Sequence, residues 1–225
     1  MSDRRLQEQV HIIGAGLLGT SIGLALSEKG VDVTLADQSP TAVRLAVDYG
    51  AGRAPRADDR PGLVVVAVPP DVTAATVARA LAEHPDALVT DVASVKGSVL
   101  AELHALGADV SRYLGTHPMA GRERGGPISA RADLFLGRPW VLAGHEGISY
   151  RRAGAIEDLI LDVGAVPIEM SVDEHDRSVA MVSHVPQLVA SAMAARLRTA
   201  SNGAVGLAGQ GVRDVTRIAS SDPGL

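Results

Sequence analysis

Four short segments of this 225-residue chain carry residue types and spacings able to do chemistry. The first, Gly14-Ala15-Gly16-Leu17-Leu18-Gly19, has the G-x-G-x-x-G spacing of a turn that holds a dinucleotide. It follows an aliphatic run at 10–13 and opens a stretch with helical apolar spacing. In that setting Gly14 permits the tight turn, Gly16 lets the backbone approach a pyrophosphate, and Gly19 lets helix and strand pack closely. The backbone N–H groups of Leu17 and Leu18, at the start of the helix, add partial positive charge for the phosphates. Asp37 ends the next aliphatic run, in the place of a carboxylate that binds both ribose hydroxyls and repels a 2′-phosphate. The pattern therefore predicts NAD rather than NADP. Val68 and Pro69, closing the run 63–68, either line the same cleft or simply stop a strand.

Two further segments, Asp91 to Lys96 and Thr116 to Gly121, each follow a predicted strand and so fall on the edge where the cofactor is expected. A neutral imidazole on His117 can accept a hydroxyl proton near pH 7; the alternative is a histidine that satisfies backbone groups in a loop. Ser94 can bond the same hydroxyl or orient the imidazole, and equally can cap the helix that follows. Lys96 either steers anions or is solvated. In the fourth segment, Arg213 to Ala219, the planar fork of Arg217 matches a carboxylate. Asp214, three residues earlier, shares a helical face with it, which from spacing alone also describes an exposed ion pair. His184 and Gln187 lie three apart on another helical face. Glu123 sits in the alternating run Arg122-Glu123-Arg124, as a surface charge or a group at the cleft.

These segments need a frame. Strands are predicted at 10–13, 31–36, 63–68, 88–91, 113–116, 139–143 and 165–170. Helices are predicted at 18–27, 40–49, 71–83, 96–106 and 150–163, with Ser39 and Asp71 as caps. The alternation implies an α/β, Rossmann-like, doubly wound and mostly parallel sheet with helices on both faces. After Met170 the pattern turns helical, with 172–198 interrupted near Pro186 and 205–220 beyond. This divides the chain into a nucleotide-binding domain, 1–170, and a small all-α domain, 171–225, whose core is slight by itself.

Composition narrows the partners. Hydrophobic residues make up 46% and charged residues 21%, which fits a packed globular chain rather than a disordered one. Cysteine is absent, which removes disulfides and thiolate chemistry. A net charge of -5 with 2% aromatic residues argues against nucleic acid. The longest aliphatic run, 63–68, is far below the roughly 20 residues that span a bilayer, and the polar N-terminus lacks the apolar stretch of a signal peptide. A soluble cytoplasmic protein is expected. His11, His84, His104, His145 and His175 show no paired ligand spacing, so no metal site is expected.

Five segments in order, G-A-G-L-L-G-T-S, D-V-A-S-V-K, H-P-M-A-G, S-H-V-P and R-D-V-T-R-I-A-S-S-D-P, run from residue 14 to residue 223. Together they resemble the prephenate/arogenate dehydrogenase family of tyrosine biosynthesis. The resemblance implies an NAD-dependent oxidoreductase that oxidises a cyclohexadienol and expels carbon dioxide, turning prephenate into 4-hydroxyphenylpyruvate or arogenate into tyrosine. It assigns His117 the hydroxyl proton, puts Ser94 between cofactor and substrate, and makes Arg217, held by Asp214, the anchor of the substrate carboxylate. Several family members carry histidine where Gln187 stands; glutamine adds no positive charge, which tilts the choice toward arogenate. Glu123 would meet its ammonium or gate the cleft. The family forms homodimers through further helices, so the resemblance also implies that the helical domain is incomplete here. Two alternatives stay open: another two-domain NAD(P)-dependent dehydrogenase of the 3-hydroxyacid or imine class, and an NAD-binding fragment without turnover.

Overall fold

The computed structural model describes residues 4–122, 125–148 and 153–220. Four aliphatic segments form one parallel sheet: β1 (Val10–Ile13), β2 (Val33–Ala36), β3 (Leu63–Val66) and β4 (Leu88–Asp91), in the order β2-β1-β3-β4. β3 shows why its sequence, Leu-Val-Val-Val, has no polar alternation. Leu63 and Val65 enter one core with Leu26, Leu35 and Trp140, whereas Val64 and Val66 enter another with Val77, Leu81 and Leu103. Both faces are covered, so both must be apolar.

The helices supply that cover. α1 (Leu17–Glu28) ends at Gly30, whose φ of 78° closes the turn, and α2 (Pro40–Asp48) starts with Ser39 accepting a bond from the Ala42 N–H at 3.3 Å. α3 (Pro70–Glu83) corrects one expectation: Pro69 takes the cap position, and Asp71 lies in the first turn, where its negative charge meets the positive end of the helix dipole. α4 (Gly97–Ala105) begins one residue later than predicted, with Lys96 at the cap.

The remaining strands form a second sheet, and here the single-sheet expectation is refined. β5 (Gly115–Pro118), β6 (Pro139–Gly144) and β7 (Val166–Ser171) are ordered β5-β6-β7. β5 and β6 pair antiparallel, β6 and β7 parallel. The connections explain the difference. α5 (Gly154–Asp162) gives β6 and β7 a helical crossover, whereas among the described residues the link from β5 to β6 has only a short 3₁₀ turn at Pro127–Ser129. β5 starts two residues later than predicted, so His117 lies within the strand. A single parallel bridge, Val89 to Tyr113, joins this sheet to β4. Tyr150, the expected start of α5, lies outside the described residues.

The chain divides into two compact units, Met1–His175 and Asp176–Leu225. α6 (Val172–Val179), a π-helical turn at Ala180–His184 and α7 (Val185–Leu197) run on as one helix. The wide turn, closed by the Val185 N–H on the Ala180 carbonyl, accommodates Pro186, which has no N–H to give. By length and composition alone this helix could cross a membrane, with a mean hydropathy of 1.3 in its most apolar stretch. α8 (Asn202–Gly206), α9 (Gln210–Thr216) and a 3₁₀ turn, Arg217–Ser220, follow.

A histidine in β1 makes the fold sensitive to acid. His11 sits with Nδ1 2.8 Å from Thr34 Oγ1, its ring 5.6 Å from that of His84. Burial first, then the neighbouring His84, lowers its pKa to about 4, against an opposing pull from Asp59. The unfolded chain binds this proton near the ordinary value of 6.5 and the folded chain does not. Stability is therefore full above that value and falls as the pH drops toward 4, by about 2 kcal/mol at about pH 5. Urea unfolding of His11→Asn should show a correspondingly flatter dependence on pH; an unchanged slope would assign the acid sensitivity elsewhere.

Candidate active site

Strand order places the candidate groups. β1 connects to β2 on one side and neighbours β3 on the other, so a crevice opens beyond the carboxyl ends of β1 and β3. The turn 14–19 sits at that crevice. Gly14 has φ 113°, and a Cβ on it would lie 2.2 Å from the Ala67 carbonyl oxygen at the end of β3. A Cβ on Gly19 would lie 1.9 Å from the Gly14 oxygen. These two glycines are required by close packing. Gly16 is not: nothing lies within 4 Å of its Cβ position. That open space borders the N-terminus of α1, whose first N–H groups, on Leu17, Leu18 and Gly19, have no intrahelical acceptor. A diphosphate fits such a cradle by charge and by room.

Asp37 stands beside it. Its Oδ2 accepts the Ala15 N–H at 2.7 Å and its Oδ1 the Ser39 N–H at 2.8 Å. The carboxylate thus braces the glycine turn while each oxygen keeps a lone pair for a hydroxyl. Val68 and Pro69 follow Ala67, and their carbonyls accept from Thr73 Oγ1 at 3.4 and 3.0 Å, which turns the chain from β3 into α3.

The second cluster lies on the same edge, because the segment that enters β5 runs parallel to β4 through the bridge from Val89 to Tyr113. His117 is partly exposed in β5, and its Nδ1 is 2.9 Å from Nε2 of His175. One nitrogen donates and the other accepts, according to tautomer. His175, fully buried in α6, is a candidate site residue with no local signal in the sequence: it lies 58 positions from His117, and no motif joins them. Ser94 is exposed in the turn after β4. It does not cap α4, which begins three residues later. Lys96 is not solvated: it is buried at 1% exposure and ion-paired with Asp91. Burial and the Asp91 carboxylate push the Tyr113 phenol, 2.6 Å from Asp91 Oδ2, well above its usual range.

Four other candidates, His184, Gln187, Asp214 and Arg217, belong to the second unit. His184 ends the π-helical turn and is exposed. Gln187, half-buried in α7, donates from Nε2 to the Ile218 carbonyl at 3.0 Å, which ties α7 to the turn that carries Arg217. Asp214 accepts from Gln210 at 2.7 Å, so its carboxylate is directed one turn back along α9. Glu123 lies outside the described residues. Among the described residues no group of three or more His, Asp or Glu side chains could hold a metal ion.

Family models match both units. One described as prephenate dehydrogenase, nucleotide-binding domain, covers residues 22–169, and one described as prephenate dehydrogenase, dimerization domain, covers 171–225. The chain belongs to the prephenate dehydrogenase family. It is 41% identical over 211 residues to a probable prephenate dehydrogenase, NovF, of Streptomyces niveus, covering 94% of this chain and 58% of that protein. To the prephenate dehydrogenase of Bacillus subtilis it is 28% identical, covering 98% of this chain and 63% of the relative. The chain thus spans less than two thirds of the length of these two curated relatives. Among solved structures, prephenate dehydrogenase from Aquifex aeolicus, in complex with hydroxyphenyl propionate and NAD+, superposes with a TM-score of 0.84 at 30% identity, over 96% of this chain and 79% of that one. Synechocystis arogenate dehydrogenase gives 0.79 at 25% identity, over 96% and 80%.

Proposed function

We propose that this chain carries the nucleotide site and the catalytic histidine of a dehydrogenase that oxidatively decarboxylates prephenate or arogenate. The observation that supports it best is His117, on the strand edge shared with the Gly14 turn and engaged through Nδ1 by His175. Nε2 is then the nitrogen assigned to the substrate hydroxyl. For it to accept, the Nδ1 proton is donated to His175 Nε2, and His175 carries its own proton on Nδ1.

Gly14, Gly16, Leu17, Leu18 and Gly19 would hold the pyrophosphate of NAD, with Asp37 on the ribose and Val68 and Pro69 along the cleft. NAD held there would supply the hydride acceptor for the substrate. His117 takes the ring hydroxyl proton as the C–H electron pair leaves and the carbonyl forms. The bond from the ring to its carboxylate then breaks, its electron pair enters the ring, and the oxygen takes back the proton that His117 holds. Carbon dioxide departs and an aromatic phenol remains, so the protein has little need to drive the last step. Ser94 bonds the same hydroxyl or orients the imidazole. Arg217 anchors the side-chain carboxylate, with Asp214, His184, Gln187 and Glu123 completing the substrate site. The uncharged Gln187 favours arogenate over prephenate.

We assign nucleotide binding to residues 1–170 and dimerisation to 171–225. Met181, Val185, Leu188 and Val189 are exposed along one face of the helix, as a surface covered by a second copy would be. On this proposal the protein is a cytoplasmic homodimer acting on a small molecule.

NADH or NADPH formation, measured with prephenate and with arogenate, each with NAD and NADP, tests this reading. Turnover with NAD is expected; bound NAD without oxidation of either substrate would keep the nucleotide site and remove the activity. Asp37→Ser should shift the ratio of NAD to NADP affinity toward NADP by about tenfold, the equivalent of one hydrogen bond; an unchanged ratio would take Asp37 out of the site. Arg217→Ala should raise KM for the substrate by about 10- to 100-fold, as loss of a charged bidentate pair does, with NAD affinity retained. Equal losses for both ligands would contradict the anchor.

A further inference from the structure

Among the described residues a single backbone bridge joins β4 to the segment that enters β5, with the Leu114 N–H on the Val89 carbonyl at 3.1 Å. Past that point side chains hold the two strand ends together. Thr116 Oγ1 donates to the Asp91 carbonyl at 2.7 Å. Lys96 Nζ pairs with Asp91 Oδ1 and donates to the Thr116 carbonyl at 2.7 Å. Tyr113 donates its hydroxyl to Asp91 Oδ2, and Asp91 Oδ1 also accepts the Ala93 N–H at 2.8 Å. Asp91, Lys96, Tyr113 and Thr116 are all buried to 2% exposure or less.

Two of these bonds end on the peptides next to the candidate catalytic residues. The Thr116 carbonyl belongs to the peptide that carries His117. The Ala93 N–H belongs to the turn that carries Ser94. One carboxylate, one ammonium and one phenol therefore link both residues. Gly115 leaves the room: a Cβ there would lie 2.8 Å from Tyr113 Oη, 3.1 Å from Lys96 Cδ and 3.2 Å from Asp91 Oδ2. A buried ion pair is a weak stabiliser compared with apolar side chains of the same volume, because both charges are stripped of water. What a fully satisfied network supplies is a unique geometry.

We propose that Asp91, Lys96 and Tyr113 form a buried latch whose work is positional, fixing the His117 peptide and the Ser94 turn relative to each other. These are positioning residues, and their catalytic part rests on the activity proposed above. The physical reason to expect a kinetic effect is steep: a displacement of about 1 Å at a reacting group costs on the order of a hundredfold in rate.

The test uses Tyr113→Phe, Lys96→Met and Gly115→Ala in the full chain. Each is followed by thermal unfolding, NAD titration, kcat and KM, and the ring resonances of His117 by NMR, assigned through their loss in His117→Asn. The latch predicts shifted His117 ring resonances in every folded variant, kcat lowered by about 10- to 100-fold, and unchanged NAD affinity. Tyr113→Phe keeps the ring and its volume, so it decides the matter if Lys96→Met does not fold. Variants with a lowered melting temperature but wild-type kcat and wild-type His117 resonances would make the network structural only and overturn the proposal. If the wild-type chain oxidises neither substrate, the activity reading fails by itself, and the NMR shifts still decide whether the latch holds His117.

Discussion

His117→Asn should lower kcat by about 10²- to 10⁴-fold, the range associated with loss of a positioned general base, while NAD binds as before. The magnitude follows from the chemistry. A hydride leaves a carbinol carbon readily only if its hydroxyl sheds a proton in the same step; otherwise a protonated carbonyl must form. Asparagine is chosen because its amide can still donate to His175 Nε2, the partner now 2.9 Å from His117 Nδ1. His175 is fully buried, and leaving its ring nitrogen without a partner would destabilise the protein for reasons unrelated to catalysis. Calorimetric NAD titration and steady-state kinetics on the same preparation separate the two effects. A kcat within a few-fold of wild type would exclude His117 as the base.

Two alanine substitutions in the glycine turn should have opposite signatures. Gly14→Ala meets the Ala67 carbonyl oxygen at 2.2 Å, a backbone atom that cannot rotate away, and forces an L residue to φ 113°. Overpacking and backbone strain each cost about 1–3 kcal/mol, so the loss should be about 3 kcal/mol or more, enough to threaten folding of the whole nucleotide-binding unit. Gly16→Ala should leave stability within about 1 kcal/mol of wild type, since its φ is -80° and nothing lies within 4 Å of the added methyl. Its effect should fall on the cofactor. The methyl fills the space that the pyrophosphate would occupy, and NAD affinity should drop at least tenfold, about 1.4 kcal/mol. Thermal unfolding with and without NAD reads both outcomes. Wild-type NAD stabilisation in Gly16→Ala would move the phosphates elsewhere; an undisturbed Gly14→Ala would contradict the packing of β1 against β3.

Much of this was legible in the sequence because its signals are local. The aliphatic runs of β1, β3 and β4, the Ser39-Pro40 start of α2 and the turn 14–19 act through neighbours a few residues away, so spacing alone locates them. The five ordered motifs carried the family in the same way, and the family models match residues 22–169 and 171–225. By itself, the sequence determined the alternation of strand and helix, the residue types offered at strand ends, and the change to helix after Met170.

What tertiary structure decided concerns residues far apart in the chain. Whether Lys96 is a solvated cation or a buried one depends on Asp91, Tyr113 and Thr116 closing around it, and nothing in D-V-A-S-V-K shows that closure. His175 reads as an ordinary helix-start residue until α6 brings it onto His117. The division into a parallel sheet and a mixed one likewise followed from connections: α5 returns the chain in parallel from β6 to β7, while the link from β5 to β6 lets the strands pair antiparallel. Spacing along a chain reports which groups share a face of one element. Only packing between elements sets which groups lose water and which partners replace it, and burial with partnership turns a lysine, a histidine and an aspartate into parts of a candidate site.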